Sequence, residues 1–160
     1  MVIKIHIYLF LVIAYMYAIK KLEIFMWAYF FIILHEIAHV IMAMLFNVKI
    51  YEIELLPIGV NAKYVGKISA IKEFAISLAG PIASYLFYKF LKIGYLKEIN
   101  LFISITNLIP LKPYDGGRII YSLLSLSFGE EIAKKMSIKI QKMSLNLLTI
   151  LAIILLVNYK

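Results

Sequence analysis

The 160-residue sequence contains no cysteine. Disulfides, thiolate metal ligands and a cysteine nucleophile are thereby excluded, and a metal site would have to be built from nitrogen and oxygen. Charge is also scarce, at 16% of residues against about 25% in a typical soluble domain. Histidine occurs three times and proline four, so each position can be weighed singly. The basic residues form no arginine-rich stripe, which sets nucleic acid aside as a partner. The opening Met1-Val2-Ile3-Lys4 lacks the strong basic charge and small-residue cleavage site of a removable signal, and reads as the start of a retained span. No internal repeat, low-complexity tract or second domain is visible.

What the chain does have is apolar surface, with 64% hydrophobic residues and a mean hydropathy of +0.92. A soluble domain of this length leaves roughly a third of its chain's surface in water, too little cover for such a composition. A bilayer removes the conflict, because the outside of the fold can then be as apolar as the inside. The formal net charge of +8 comes from 17 Lys and Arg against 9 Asp and Glu. These cations sit at the ends of apolar runs, where they reach phospholipid headgroups.

The predicted fold class is an all-α polytopic membrane protein, a single domain over residues 1–160. Its spans, about five, fall near 2–20, 24–46, 73–91, 99–128 and 143–158. The fourth is broken in its middle by Pro110 to Arg118, and irregular backbone at that depth is tolerated where it is buried or lines a cavity. Between the second and third spans, Tyr51, Ile53 and Leu55 alternate with Glu52 and Glu54. That period of two predicts a small β-hairpin at the membrane surface over about 50–66, turning at Leu56-Pro57-Ile58-Gly59. Lysines lie on both sides of the spans, so the membrane orientation stays open.

The strongest chemical pattern is His35-Glu36-Ile37-Ala38-His39, inside the second span. Residues four apart share a helix face, so both imidazoles can converge on one ion. Glu36 stands beside that face, placed to act as a general base on a water. Ionisable groups in a hydrocarbon-embedded helix are costly unless paired or metal-bound; a polar cluster that merely packs helices is the competing reading. Catalytic zinc takes three protein ligands, and Asp115, in the broken segment, is the candidate for the third. It could instead be the turn residue of its Asp-Gly pair, or an ion-pair partner of Arg118. His6 reads as an interface or core histidine. Asn107 is either a packing amide or a donor to a substrate carbonyl.

The run Asn107-Leu108-Ile109-Pro110-Leu111-Lys112-Pro113-Tyr114-Asp115-Gly116-Gly117-Arg118, with His35-Glu36-Ile37-Ala38-His39 and Ala79-Gly80-Pro81, resembles the three signatures of the site-2 protease family of intramembrane zinc metalloproteases. Lys4-Ile5-His6-Ile7 and Leu55-Leu56-Pro57-Ile58-Gly59 are similar to stretches of its stage IV sporulation protein FB branch, and the resemblance extends over residues 1–157. It implies one zinc ion per chain held by His35, His39 and Asp115, with Glu36 as catalytic acid/base and Asn107 facing the substrate. It implies a metalloendopeptidase acting on a membrane-associated or transmembrane protein. For that branch the substrate is the pro-form of a sporulation sigma factor, in a forespore-surrounding membrane of an endospore-forming bacterium. The rival is a housekeeping peptidase of the same type with another substrate. Members of the branch continue into a further span and a nucleotide-sensing CBS domain beyond the position of Lys160, so nucleotide control stays open. Oligomeric state and inhibitory membrane partners stay open.

On the substrate side the candidates are Ile53 and Leu55 of the hairpin, which could hold an unwound segment by strand addition, and Pro110 of the broken span. Two readings of another class stand beside the protease. An ion-coupled transporter would bind ions at the helix break, but usually shows paired repeats. A noncatalytic membrane scaffold would have no use for Glu36.

Overall fold

The computed structural model describes residues 2–56 and 59–158. The elements are β1 (Val2–Ile5), α1 (Tyr8–Ala18), α2 (Leu22–Leu45), β2 (Ile50–Leu56), β3 (Gly59–Tyr64), α3 (Ala70–Phe90), α4 (Gly94–Asn107), α5 (Asp115–Phe128) and α6 (Glu130–Asn158). Helix α2 is a continuous apolar run with Glu23 in its first turn, favourable to the helix dipole. It ends at Asn47, whose φ of 54° carries the chain into the left-handed region. There the amides of Asn47 and Val48 turn back onto the carbonyls of Met44 and Ala43 and close the last turn.

Among the described residues, α2, α3 and α6 are long and apolar enough to cross a membrane, which makes this an integral membrane protein. Lipid explains what water could not: along α6, Leu155 and Leu156 are 69% and 73% exposed. Where the last span was expected to begin near 143, residues 130–158 form one helix.

The start of the chain departs from expectation. Val2–Ile5, expected in the first span, instead form a strand that pairs in parallel with β2, with Val2 opposite Glu52 and Ile5 opposite Leu55. Lys4 does not snorkel to a headgroup; its Nζ lies 2.6 Å from Glu52 Oε2. The helix that follows has 11 residues, roughly 16 Å at 1.5 Å per residue, about half of a hydrocarbon core.

The expected hairpin is therefore part of a three-stranded sheet of order β1-β2-β3, with β2 and β3 antiparallel. Pro57 and Ile58 of its turn lie outside the described residues. Burial along β2 does not follow the alternation of the sequence: Tyr51 is exposed, Glu52 is buried, and residues 53–56 are all half-buried. Glu52 is 8% exposed while Tyr51 is 48% exposed. Glu52 can be covered because Lys4 from β1 and Lys63 from β3 each reach one of its carboxylate oxygens at 2.6 Å. Those two ammonium groups, Lys4 first, hold its carboxyl below the ordinary value of 4.5.

Helix α3 is the central element, packed against α2, α4 and α5, while α6 packs on α5. Phe31, Leu96 and Ile103 form the apolar core between α2 and α4, with Phe87 of α3 against them. The buried residues of α3 are Ile76 and the small Ser77, Gly80, Pro81 and Ser84. The broken span is two 14-residue helices, α4 and α5, separated by residues 108–114. Ser104 Oγ of α4 donates to the carbonyl of Pro81 at 2.9 Å, and Arg118 of α5 reaches Glu73. Sequence order along α4 and α5 thus runs opposite to that along α3, and the two short helices follow one another beside it.

Candidate metal centre

His35 and His39 lie one turn apart on α2, both 2% exposed. Their ring centroids are 4.9 Å apart, as the i, i+4 relation requires. Asp115 is the first residue of α5 and 7% exposed, a carboxylate at the positive end of a helix dipole. It reaches α2 because α5 starts hard against the preceding segment. A Cβ on Gly116 would collide with the carbonyl oxygens of Leu108 and Ile109. The glycine is thus a steric necessity of the break.

Asp115 Oδ2 lies 3.0 Å from His35 Nε2 and 3.1 Å from His39 Nε2. The three donor atoms all lie within 4.8 Å of one another. Helix α3 holds both rings from behind. His39 Nδ1 donates to the carbonyl oxygen of Ile76 at 2.6 Å, and His35 Nδ1 meets Ser84 Oγ at 2.9 Å. Between these two contacts sits Gly80, where an added Cβ would strike Nε2 of both histidines.

This arrangement fits a cation on its donor chemistry. The Ile76 carbonyl only accepts, so the proton of neutral His39 sits on Nδ1 and Nε2 points a lone pair at a carboxylate oxygen. Two lone pairs at that distance repel unless positive charge lies between them. Tetrahedral zinc takes nitrogen and oxygen donors at about 2.0–2.2 Å, which puts ligands roughly 3.3–3.6 Å from one another, a few tenths of an ångström beyond the observed 3.0 and 3.1 Å. The buried His-His-Asp cluster is able to coordinate a metal ion.

The other residues singled out in the sequence are placed as follows. Glu36 is half-buried beside His35 on α2. Asn107 is the last residue of α4, half-buried, and its Nδ2 donates to the carbonyl of Ile103 at 3.0 Å. Pro110 is half-buried in the 108–114 segment. His6 is outside the cluster: its amide donates to Leu55 O at 2.9 Å and its Nδ1 accepts from the amide of Tyr8 at 3.4 Å. Ile53 and Leu55 lie in the central strand, paired with β1 on one side and β3 on the other. Main-chain strand addition at β2 is therefore closed, which corrects that part of the hairpin reading.

Two contributors carried no sequence signal that was used: Ser84 and the Ile76 carbonyl. The spacing of Gly80 and Ser84, four apart on one face of α3, was the available hint.

A long apolar helix carrying two buried histidines, met by the aspartate that opens α5, defines the class as a membrane protein with a donor set able to coordinate a metal ion. Comparison with known proteins narrows this. No family model matches the chain. It is 36% identical over 163 residues to the zinc metalloprotease MJ0392 of Methanocaldococcus jannaschii, covering 88% of this chain and 48% of that protein. It is 26% identical over 122 residues to stage IV sporulation protein FB of Bacillus subtilis, covering 68% of this chain and 42% of that protein. The solved structure of a site-2 protease from Methanocaldococcus jannaschii matches with a TM-score of 0.72 at 30% identity, over 99% of this chain and 83% of that one. The chain belongs to the site-2 protease family of zinc metalloproteases. It spans under half the length of the curated relatives it matches.

Proposed function

We propose that this chain is an intramembrane zinc metalloendopeptidase that cuts a peptide bond of a membrane-associated or transmembrane protein. The observation that carries the reading is the convergence of two imidazole nitrogens and one carboxylate oxygen between α2 and α5, with each imidazole steadied at its far nitrogen by α3. His35, His39 and Asp115 hold the zinc ion. Zinc there supplies Lewis acidity, making water nucleophilic near neutral pH and polarising a carbonyl.

The chain's own groups do the rest. Glu36 takes a proton from the attacking water as its oxygen bonds to the scissile carbon, and delivers that proton to the nitrogen as the C–N bond breaks. Asn107 faces the substrate carbonyl; of its two amide hydrogens one bonds Ile103 O and the other donates to the substrate. The α4–α5 pair forms one broken crossing with the 108–114 segment at depth, which with α2, α3 and α6 makes four crossings, α1 being too short for the expected fifth. The substrate lies in extended form against the outer edge of β3, one strand removed from Ile53 and Leu55, with Pro110 as a side-chain contact.

On substrate identity the similarities weigh unequally. Identity is 36% over 163 residues to a zinc metalloprotease but 26% over 122 residues to a sporulation protein. The balance favours a site-2-type peptidase whose substrate is other than a sporulation sigma-factor pro-form. A forespore-surrounding membrane is then not required as its location. The transporter and scaffold readings leave the water-activating position of Glu36 without a purpose.

The test is a pair of variants. Glu36→Gln should keep zinc and lose cleavage of a membrane substrate, whereas Asp115→Ala should lose zinc and cleavage together. Cleavage by Glu36→Gln within tenfold of the parent would overturn the mechanism.

A further inference from the structure

The two carboxylate oxygens of Asp115 have different neighbours. Oδ2 faces His35 and His39. Oδ1 lies 3.7 Å from Nη1 of Arg118, one turn along α5. That guanidinium is tethered, because its Nε donates to Glu73 Oε1 at 2.7 Å, from the first turn of α3. On another side the ring of Tyr64, the last residue of β3, lies 5.7 Å from the guanidinium carbon. The Arg118 and Glu73 side chains are 27% and 22% exposed. A partly buried pair is screened far less by salt than a surface pair.

The asymmetry bears on how many coordination positions Asp115 fills. A catalytic zinc site uses three protein ligands and keeps one position for water. A carboxylate can offer both oxygens to one ion, and with two imidazoles that would fill four positions. Turning Oδ1 toward the ion would give up its ion pair with Arg118. The i, i+3 spacing alone would bring an arginine near Asp115 on any helix. What sets Arg118 apart is the commitment of Nε to a carboxylate on another helix, since the rigid planar fork then leaves Nη1 directed at Oδ1.

We propose that Glu73 and Arg118 are positioning residues that restrict Asp115 to a single metal-ligating oxygen and so keep the fourth position of the site open. This rests on reading the cluster as a zinc site. Neither residue touches the reacting atoms; both act through Asp115.

The experiment uses the full chain in detergent, loaded with Zn²⁺ for X-ray absorption fine structure and with Co²⁺ for visible spectra. A two-oxygen carboxylate brings its carbon closer to the metal, which the fine structure reads. Azide added to the cobalt form reports access to the open position. The parent should show a one-oxygen carboxylate. Arg118→Gln should keep its metal, change to the two-oxygen form, and bind azide about tenfold more weakly, within the range seen when the partners of metal ligands are lost. Glu73→Gln, which leaves the guanidinium untethered, should move both readouts the same way, and it decides the question if Arg118→Gln does not fold. Fine structure and azide affinity unchanged from the parent overturn the proposal and leave the pair as a strut between α3 and α5. A parent that takes up neither metal overturns the zinc reading itself, a distinguishable failure.

Discussion

His39 gives its Nδ1 proton to the carbonyl oxygen of Ile76 at 2.6 Å, and that bond leaves Nε2 as the nitrogen facing Asp115. His35 Nδ1 is held by Ser84 Oγ at 2.9 Å. A backbone carbonyl cannot be substituted away, but a hydroxyl can. Ser84→Ala is expected to weaken zinc binding about ten- to hundredfold, the usual cost of losing a partner that orients a ligand. Competition against a graded series of zinc chelators measures it. An affinity within twofold of the parent would mean that Ser84 orients nothing.

At Gly80, α3 passes too near the imidazoles to leave room for a side chain. A methyl group there meets both Nε2 atoms, and neither ring can swing away without breaking its contact to α3. Gly80→Ala should cost about 1–3 kcal/mol of stability, as overpacking does, and strip the chain of most of its zinc. Gly94→Ala is the control, since nothing lies within 4 Å of its added Cβ. Zinc per chain after detergent purification, with helicity followed by circular dichroism, tells the two apart; equal zinc in both variants would refute the steric argument.

The sheet topology changes where a substrate should be sought. Ala62 and Ile53 are cross-strand partners and face the same side of the sheet. A peptide added outside β3 would stand about 5 Å from Ala62 and about 10 Å from Ile53, at the usual strand spacing. Disulfide crosslinking from Ala62→Cys to cysteines flanking the cleavage site should therefore exceed that from Ile53→Cys. Equal or reversed yields would place the substrate elsewhere.

Glu52 makes the sheet pH-sensitive in a defined direction. Its folded carboxyl is held below the ordinary 4.5 by Lys4 and then Lys63. The stabilisation is therefore fully present above that ordinary value, and is lost as pH falls through the lower, folded one. Amide protection in β1, which Lys4 ties on, should drop in that acid window once corrected for intrinsic exchange. Glu52→Gln should show lower protection without the pH step. A parent whose β1 protection does not change across that window would refute the linkage.

Much of the candidate site is legible in the chain because it is local. The shared face of His35 and His39 follows from the 3.6-residue period of any helix, whatever surrounds it. The absence of cysteine, the need for a third ligand and the break at Pro110 to Asp115 narrowed the choice of carboxylate by chemistry alone. Composition likewise demanded a bilayer before any contact was known.

Pairing across the chain was not legible in this way. Val2–Ile5 form a strand because β2, some fifty residues later, presents an edge and a glutamate to Lys4. By hydropathy they are indistinguishable from the head of a span. Ile53 and Leu55 read as an exposed hairpin edge and proved central for the same reason, since the third strand comes from elsewhere. The supports of the metal centre, Ile76, Ser84 and Glu73, all come from α3, which lies between the two motif-bearing helices in space and in sequence. Local period decides which face a side chain occupies; which surface meets that face is decided only when distant segments pack, and no residue spacing encodes that meeting.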